Sequence, residues 1–387
     1  MRQVLVAGIG STGFGRHDGV AVETLAARAA DAAIRDSGLA KASIGALYLG
    51  NFVAGPLTGQ EVLAGMVADE LGLGQIPCSK MEGACASGGI AFRHAMLAVA
   101  TGQCDVAIAV GTEKMSHAGT AAVTSALNCA MDNASDGASG LTFPGFFGLV
   151  WNAHAARYGT DREMVAAVVR KNKGNGLKNP LAQMGADLTF EQIAGAAPIC
   201  DPLRLYDCCP ISDGAAAAVV IAADRAADLV GPRIEIAASV QTRGSPRMAG
   251  IPDLTSFRAT REAAQLAYDE SGLSASDIDV CELHDCFSIA EVVDSEDLGL
   301  VPRGKGGVWA AEGRTSVGGQ IPINPGGGLL AKGHPVGATG LGQVYEIVHQ
   351  LRGTHPNQVE GAAIGMTHNL GGAGVACTVS ILRRTDA

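Results

Sequence analysis

One cysteine of this chain stands in a sequence context that could make it a nucleophile. Cys85 lies in EGACASGGI, where small residues leave room for a ligand and an apolar segment follows. We predict that Cys85 begins a helix, because free N–H groups and a partial positive charge there stabilise a thiolate. A dipole contribution of about 1–2 kcal/mol would lower the pKa of this thiol by about one unit. The alternative is a small buried cysteine that only packs in the core.

A histidine in a glycine-rich turn is the candidate base for this thiol. His334 occurs in NPGGGLLAKGHPVGATG, where the glycines and Pro335 predict a fixed turn. An imidazole held beside a thiol can remove its proton and so activate it for covalent catalysis. The alternative for a single turn histidine is a surface position without a catalytic role.

Two further turns carry polar side chains at the ends of predicted strands. His284, Asp285 and Cys286 follow the short strand VCEL and precede a helix in CELHDCFSIAEV. Asp285 could act there only as a structural hydrogen-bond acceptor. His368 and Asn369 follow the strand GAAIGM and precede a glycine turn in GMTHNLGGAG. Backbone N–H groups in such a turn can form an oxyanion hole.

The elements that must position these turns form an internal repeat. Residues 23–50 resemble residues 260–284, since both run from an amphipathic helix through Ser-Gly-Leu into a short strand. Residues 79–89, which contain Cys85, resemble residues 331–341, which contain His334. A repeat of this length indicates a duplicated structural unit. The candidate nucleophile and the candidate base therefore occupy equivalent positions in the two copies.

The repeat predicts an α/β fold with two similar βαβαβ halves, residues 1–225 and residues 233–387. The segment from about 116 to 199 lies outside the repeat and is predicted to form an inserted loop domain. Each half also has one helix that is apolar nearly all round, at 87–102 and at 338–353. Such helices belong in the interior, so we expect sheets on either side of a central helical layer.

Composition and charge exclude several classes of protein. The content of 47% hydrophobic and 17% charged residues is typical of a compact globular protein, and the net charge of −10 argues against a nucleic-acid-binding surface. The first residues lack the features of a signal peptide, and no apolar run is long enough for a membrane span. Ten cysteines without a CxxC pair predict free thiols in a reducing compartment, the cytoplasm, and no metal site.

Taken together and in order, the four motifs resemble those of the thiolase superfamily. They are CxS at Cys85, HDCF at 284–287, GHP at 333–335 and HNLGG at 368–372. The resemblance covers essentially the whole chain. It implies a duplicated thiolase fold, in which the two halves stack as a five-layer αβαβα sandwich with an inserted loop domain. It also implies a homodimer or homotetramer.

The sequence departs from typical thiolases at two motifs. HDCF stands where thiolases usually carry NEAF, and alignment of the GGAGVA tail puts His368 and Leu370 at the cysteine and glycine of the usual CxG. This combination resembles the sterol-carrier-protein (lipid-transfer-protein) thiolases and their bacterial thiolase-like acyl-CoA acetyltransferase relatives.

The resemblance implies a role for each motif residue. Cys85, activated by His334, would carry the acyl group as a thioester, and Cys286 would perform the acid/base step in place of the missing CxG cysteine. His334, with a water or group held by His284, would form one oxyanion hole, for the enolate. The backbone N–H groups of Cys85 and Leu370 would form the other. His368 would line the active site or take part in proton transfer.

The resemblance also implies the substrate and its contacts. The protein would use coenzyme A and acyl-CoA as substrates, with no permanently bound cofactor. The family binds coenzyme A at the inserted loop domain, where this chain has a basic cluster. Its predicted phosphate contacts are Arg170, Lys171, Lys173 and Lys178.

Three functions remain open at this point. The first is an acyl-CoA C-acyltransferase that makes or cleaves 3-ketoacyl-CoA by Claisen condensation or thiolysis. The second is a thiolase-like acyltransferase, or a lyase of a steroid-type CoA ester, that works with a small OB-fold/zinc-ribbon partner. An aldolase would not require Cys85, so the intact motifs disfavour that variant. The third is a non-catalytic lipid-binding scaffold subunit, for which decayed motifs would be expected.

Overall fold

The computed structural model describes residues 2–229 and 231–385, so the chain ends and Val230 of the predicted linker lie outside the described residues. The elements of the first half and the insertion are, in chain order, β1 (Val4–Ser11), α1 (Val22–Ser37), β2 (Leu47–Gly50), α2 (Ala54–Thr58), α3 (Leu63–Leu71), β3 (Cys78–Met81), α4 (Ser87–Ala100), β4 (Val106–Glu113), α5 (Thr120–Asn128), α6 (Phe143–Tyr158), α7 (Arg162–Lys178), α8 (Phe190–Ala194), β5 (Pro198–Cys200), β6 (Leu203–Arg204) and β7 (Gly214–Ala222).

The second half follows after a short 3₁₀ segment. Its elements are β8 (Ile234–Thr242), α9 (Arg258–Ser271), β9 (Val280–Glu282), α10 (Ser288–Asp297), α11 (Gly306–Ala311), α12 (Gly328–Lys332), α13 (Thr339–Arg352), β10 (Ile364–Gly371) and β11 (Ala376–Arg384).

The strand order shows the duplication. The first half has the order β3-β2-β4-β7-β1, and the second has β8-β11-β10-β9, with Ile323 forming a parallel bridge to Cys281 at the outer edge. The strands β1, β2, β4 and β7 therefore correspond to β8, β9, β10 and β11. The two sheets are not separate, because β1 and β8 pair through Leu5 with Glu235 and Val6 with Ile234. Nine strands thus form one hydrogen-bonded series.

The two apolar helices form the central layer, as the sequence predicts. Helix α4 packs against β2, β4 and β7 of the first half and also against β8 and β11 of the second. Helix α13 packs against strands of both halves as well, and buried side chains such as Phe92, Leu341 and Ile347 fill this layer. Helices α1 and α3 cover the outer face of the first half, and α9 and α10 cover that of the second. The layers follow the order α, β, α, β, α.

The insertion between β4 and β7 covers part of the second half. Helix α7 packs against α10, α11 and α12, and α6 packs against α10. Both helices have capped N-termini, because Thr142 accepts from the N–H of Gly145 and Asp161 accepts from the N–H of Met164. The insertion is therefore docked on the half that carries the HDCF and GHP turns.

Two further predictions from the sequence concern membrane spans and the state of the cysteines. Within the described parts of the chain, no helix combines the length and apolar character required to cross a bilayer. All ten cysteines are free thiols.

The contact of β4 with the turn after His334 leaves no room for a side chain. A Cβ atom on Gly111 would lie 2.4 Å from the carbonyl oxygen of Gly337 and 2.9 Å from Cα of Ala338. We expect Gly111→Ala to lower the free energy of unfolding by about 1–3 kcal/mol, because backbone must shift. Urea unfolding measures this. Gly65→Ala is the matched control, since nothing lies within 4 Å of its Cβ in α3, and should stabilise by about 0.5–1 kcal/mol. Equal effects of the two substitutions would contradict this packing.

Candidate active site

Cys85 lies in a strained turn at the start of α4. The preceding residue, Ala84, has φ 52°, a left-handed conformation that costs a non-glycine residue about 1–3 kcal/mol. Ser87 closes the turn, because its hydroxyl accepts from the N–H of Gly83 (3.0 Å) and donates to the carbonyl of Ala84 (2.6 Å). The position of Cys85 at a helix start agrees with the sequence prediction.

The surroundings of His334 fix the position and the tautomer of its ring. Its backbone N–H donates to the hydroxyl of Ser212 (3.1 Å), and its Nδ1 lies 2.7 Å from the hydroxyl of Thr339. That hydroxyl donates to the carbonyl of Pro335, so its oxygen accepts a hydrogen from Nδ1. Nε2 then carries a lone pair. It is buried and has no hydrogen-bond partner among the described residues. A base with this tautomer can accept a proton from a thiol.

The three distant turns converge. One side-chain donor atom of each of Cys85, His284 and His334 lies within 4.8 Å of the other two. The rings of His284 and His334 meet edge to face, with their centroids 4.9 Å apart. Cys286 lines the same cavity of about 190 Å³ as these three residues. The structure therefore brings together four of the five predicted catalytic residues.

The remaining wall of this cavity is mainly apolar. Aliphatic and aromatic side chains from the insertion and from both halves contribute to it, among them Phe52, Met115, Leu127, Phe143, Phe147 and Phe287. The rings of Phe147 and Phe287 stack with centroids 4.6 Å apart. Such a wall can hold an acyl chain and exclude water from a reacting thiol.

The electrostatics of the thiol differ from the expectation. Burial raises the pKa of Cys85 to about 12, and the charges of Glu113 and Glu82 act in the same direction. The N–H groups of Gly372 and of Cys85 itself lower the pKa but do not offset burial. The predicted lowering of the pKa by the helix end is therefore wrong for the free protein. The thiol does lie at a helix start, as the sequence predicts, but it remains protonated there.

Both imidazoles at the cavity are neutral. Burial lowers the pKa of His334 to about 3, and burial also lowers the pKa of His284 well below its ordinary value. A thiolate–imidazolium pair therefore does not preexist. Activation of Cys85 by His334, which the resemblance implies, would require proton transfer to Nε2 when a substrate carbonyl is in position.

Cys286 is also a protonated thiol in the free protein. Burial raises its pKa well above the ordinary value, and the nearby Cys209 and Cys85 thiols add to this effect. Cys209 was not singled out by the sequence argument, although it lines the cavity and its N–H donates to the carbonyl of Cys286 (3.1 Å). The adjacent cysteines Cys208 and Cys209 can be read from the sequence, but no sequence pattern indicates that they lie beside the HDCF motif.

Asp285 points away from its two neighbours in the HDCF turn and is a structural acceptor. Its carboxylate accepts from the N–H groups of Leu329 (2.6 Å) and Leu330 (3.3 Å) at the start of α12 and from Nδ2 of Asn172 (2.7 Å). Helix α12 leads directly to Gly333 and His334. Asp285 therefore ties the turn that carries His284 and Cys286 to the segment that carries the base.

His368 lies behind the cavity and not in its wall. Its side chain is fully buried, Nδ1 accepts from the backbone N–H of His284 (3.4 Å), and Nε2 lies 3.0 Å from the hydroxyl of Thr260. Thr260 in turn donates to Asp294 (3.1 Å). Both ring nitrogens are thus engaged away from the reacting groups. The expectation that His368 lines the active site is wrong, and the ring supports the backbone of His284 instead.

Gly372 is a candidate donor for the second oxyanion hole that the motif comparison did not predict. The backbone N–H of Gly372 lowers the pKa of the Cys85 thiol, and Gly372 lines the cavity. Leu370 is buried within β10 and is not part of the cavity wall. The pairing of the Cys85 and Leu370 N–H groups stays a prediction. The HNLGG motif itself could have indicated Gly372, since any N–H of that turn was a candidate.

The basic cluster separates into buried and exposed members along α7. Lys171 pairs with Glu291 (3.0 Å) and donates to the carbonyl of Ile323, and burial lowers the pKa of Lys173 to about 8. We therefore drop Lys171 and Lys173 as phosphate contacts, because Lys171 is paired and Lys173 is buried, so neither side chain reaches a phosphate in solution. Arg170 and Lys178 are exposed.

A thiol and an imidazole base that meet in an apolar cavity, within a duplicated α/β fold, define a covalent acyl-transfer enzyme of the thiolase type. The family model described as "Thiolase, N-terminal domain" matches residues 4–224, and "Thiolase C-terminal domain-like" matches residues 241–384. The chain belongs to the thiolase family.

Relatives over the full chain include three named proteins. An acetyl-CoA acetyltransferase of Methanothermobacter thermautotrophicus is 43% identical, covering 99% of this chain and all of the relative. The benzoylsuccinyl-CoA thiolase subunit BbsB of Thauera aromatica is 35% identical, covering 96% of this chain and 95% of the relative. Sterol carrier protein 2 of Oryctolagus cuniculus is 34% identical, covering 97% of this chain and 71% of the relative.

Solved structures support the same architecture. The Ltp2-ChsH2(DUF35) aldolase superposes with a TM-score of 0.85 at 28% identity, over 99% of this chain and 98% of that chain. Human mitochondrial 3-ketoacyl-CoA thiolase in complex with CoA has a TM-score of 0.75 at 18% identity, over the same shares. The latter comparison shows the fold alone.

The raised pKa of Cys85 has a measurable consequence. We expect the rate of alkylation of Cys85 by iodoacetamide to rise about tenfold per pH unit from pH 7 to pH 10, because a thiol with a pKa of about 12 gains thiolate throughout that range. Peptide mass spectrometry follows Cys85 separately from the exposed Cys129, which serves as an internal control for reagent decay. A plateau below pH 8 would show a preformed thiolate.

Proposed function

We propose that this protein is an acyl-CoA C-acyltransferase that forms or cleaves 3-ketoacyl-CoA through an acyl-Cys85 intermediate. The observation that carries the proposal is the convergence of Cys85, His284 and His334 within 4.8 Å at a cavity that Cys286 also lines. Full-length relatives named acetyl-CoA acetyltransferase and benzoylsuccinyl-CoA thiolase support the same chemistry.

In the first half-reaction Cys85 takes the acyl group. Nε2 of His334 removes the thiol proton as Sγ attacks the thioester carbonyl, and the carbon–sulfur bond to coenzyme A then breaks. The leaving coenzyme A thiolate takes the proton of the Cys286 thiol. Acyl-Cys85, an imidazolium at His334 and a thiolate at Cys286 remain. The burial that keeps Cys286 protonated in the free protein suits it to donate this proton.

In the second half-reaction a carbon–carbon bond forms. The Cys286 thiolate removes the α-proton of a second acyl-CoA, and the enolate carbon attacks the carbonyl of acyl-Cys85. The bond from the carbonyl carbon to Sγ breaks, and Cys85 recovers its proton from His334. The Cys286 thiol gives its proton to coenzyme A and regains one from the α-carbon, while Cys85 regains the proton that His334 held, so the cycle is balanced. Thiolysis is the same sequence in reverse.

The cavity and the exposed cations support acyl-CoA as the substrate. The apolar wall suits an acyl group, while Arg170 and Lys178 on the insertion are the proposed contacts for the phosphates of coenzyme A. The use of acetyl-CoA as one substrate rests on the acetyl-CoA acetyltransferase relatives. A homodimer or homotetramer and a cytoplasmic location, which the free thiols suit, belong to the same proposal.

A second candidate is a lyase that works with a partner subunit. It is favoured by the likeness to the Ltp2-ChsH2(DUF35) aldolase at a TM-score of 0.85. The ring of His334 opposes it, because its unpartnered Nε2 is directed to the cavity that Cys85 lines, as acylation requires. The partner itself, a small OB-fold/zinc-ribbon protein, is compatible with either chemistry. A scaffold role without catalysis would not require this convergence.

The acyl-enzyme tests the proposal directly. Incubation with acetyl-CoA should release coenzyme A and add one acetyl mass to the peptide that contains Cys85, because a ring nitrogen of His334 lies within 4.8 Å of this thiol and can take its proton. Mass spectrometry of the quenched protein measures this. Cys85→Ser should abolish the adduct, and Cys129→Ser should not change it. An adduct on another cysteine would contradict the assignment.

Cys286 can be separated from Cys85 by half-reaction. We expect Cys286→Ala to retain acylation within about tenfold, because a thiolate leaves without full protonation, but to lower condensation by about 10²–10⁴-fold. Stopped-flow detection of released coenzyme A and steady-state formation of 3-ketoacyl-CoA distinguish the two steps. Undiminished condensation would remove Cys286 from the mechanism, and Cys129→Ala serves as the control for loss of a thiol.

A further inference from the structure

Asn369 contacts both the nucleophile turn and the ring of His284. Its Nδ2 donates to the carbonyl of Cys85 (2.9 Å), and its Oδ1 accepts from the N–H of Gly89 in the first turn of α4 (3.3 Å). Its Nδ2 also lies 3.3 Å from Nδ1 of His284. The side chain is buried. Asn369 belongs to the HNLGG motif but has no part in the two half-reactions proposed for the cysteines.

The two backbone partners determine the orientation of the amide. If Oδ1 and Nδ2 were exchanged, an oxygen would face the carbonyl of Cys85 and an NH₂ group would face the N–H of Gly89. Both contacts would then be repulsive. The amide must therefore present N–H, and not oxygen, to Nδ1 of His284. A nitrogen that accepts this hydrogen bond cannot itself carry a hydrogen.

This contact determines the chemistry of the other ring nitrogen. The ring of His284 is neutral, because burial lowers its pKa, so it has one N–H, and that hydrogen is on Nε2. His334 shows the opposite pattern, with its hydrogen on Nδ1 and a lone pair on Nε2. The two edge-to-face rings thus offer the cavity one donor and one acceptor.

We propose that Asn369 is a positioning residue that holds His284 in the Nε2–H tautomer and so makes His284 an oxyanion-hole donor beside the base His334. The consequence for rate rests on the function proposed above, whereas the tautomer does not. A hydrogen on Nε2 also opposes the interpretation of Cys85, His284 and His334 as metal ligands, since a ligating nitrogen needs its lone pair.

Two neighbouring features support this role. A Cβ atom on Gly340 would lie 2.3 Å from Oδ1 of Asn369, so the start of α13 provides the space that the amide occupies. His368, the preceding residue, accepts from the backbone N–H of His284. Residues 368 and 369 therefore hold His284 at its backbone and at its ring, which gives the HNL sequence a physical function.

The tautomer can be measured in the free protein without any turnover. In protein labelled with ¹⁵N-histidine at pH 7, the nitrogen shifts and couplings of His284 should report Nε2–H. The resonances are assigned by their loss in His284→Gln. Asn369→Asp should convert the ring to Nδ1–H, because a carboxylate accepts and does not donate. Asn128→Asp adds the same charge to the cavity wall without contacting His284 and should leave Nε2–H in place.

The rates of the two half-reactions test whether His284 acts as an oxyanion donor. Asn369→Asp should lower condensation by about 10²–10³-fold, the usual effect of losing one oxyanion donor, and lower acylation of Cys85 by less than about tenfold. Should this variant fold poorly, Asn369→Ser provides the same comparison, with a mixture of tautomers expected. An Nδ1–H tautomer in the wild-type protein, an unchanged tautomer in Asn369→Asp, or equal losses in the two half-reactions would overturn the inference. Absence of an acyl-Cys85 adduct in the wild type would instead overturn the proposed function.

Discussion

The site depends on the backbone contact between the first turns of α4 and α13. A Cβ atom on Gly88 would lie 2.8 Å from the carbonyl oxygen of Gly337, and one on Gly340 would lie 2.3 Å from the backbone nitrogen of Gly89. Only residues without side chains permit this distance. Because Cys85 lies in the turn just before Ser87, where the first helix begins, and His334 lies in the turn that leads to Thr339, where the second begins, the same contact brings sulfur and imidazole to one cavity. The duplication therefore has a direct chemical result, in which equivalent turns of two halves supply complementary groups.

Burial is the dominant electrostatic effect at this site. It raises the pKa of Cys85 to about 12 and lowers that of His334 to about 3, so the resting pair is uncharged. A neutral pair in an apolar cavity is protected from oxidation and metal capture, since the thiolate is the reactive form. Activation then requires the substrate, whose carbonyl accepts the charge that the thiol releases. In this arrangement the Cys85 thiolate forms only when a substrate is bound.

The polar residues that do not react have an equally defined role. In the HDCF turn the side chains alternate, so that Cys286 lines the cavity while Asp285 accepts from two N–H groups at the start of α12. In the HNL turn His368 and Asn369 hold His284 at two points. The histidine at the CxG position therefore does not take over the role of the thiol that typical thiolases carry there. It supports the backbone of His284, and Cys286 stays the residue predicted to perform the acid/base step.

The fold class, the duplication and the four motif turns could be predicted from the sequence, because repeats, apolar periodicity and motif order are local properties of the chain. The sequence also singled out Cys85, His284, Cys286 and His334, which the fold brings to one cavity, and their chemical roles stay predictions. The direction of the Cys85 pKa shift, the inward orientation of Lys171 and Lys173, and the position of His368 behind the cavity were decided by tertiary structure. So were the contacts of Asn369 and the position of Gly372 in the cavity wall. Each of these depends on which distant atoms surround a group, since burial and hydrogen-bond partners arise only when separated segments pack together.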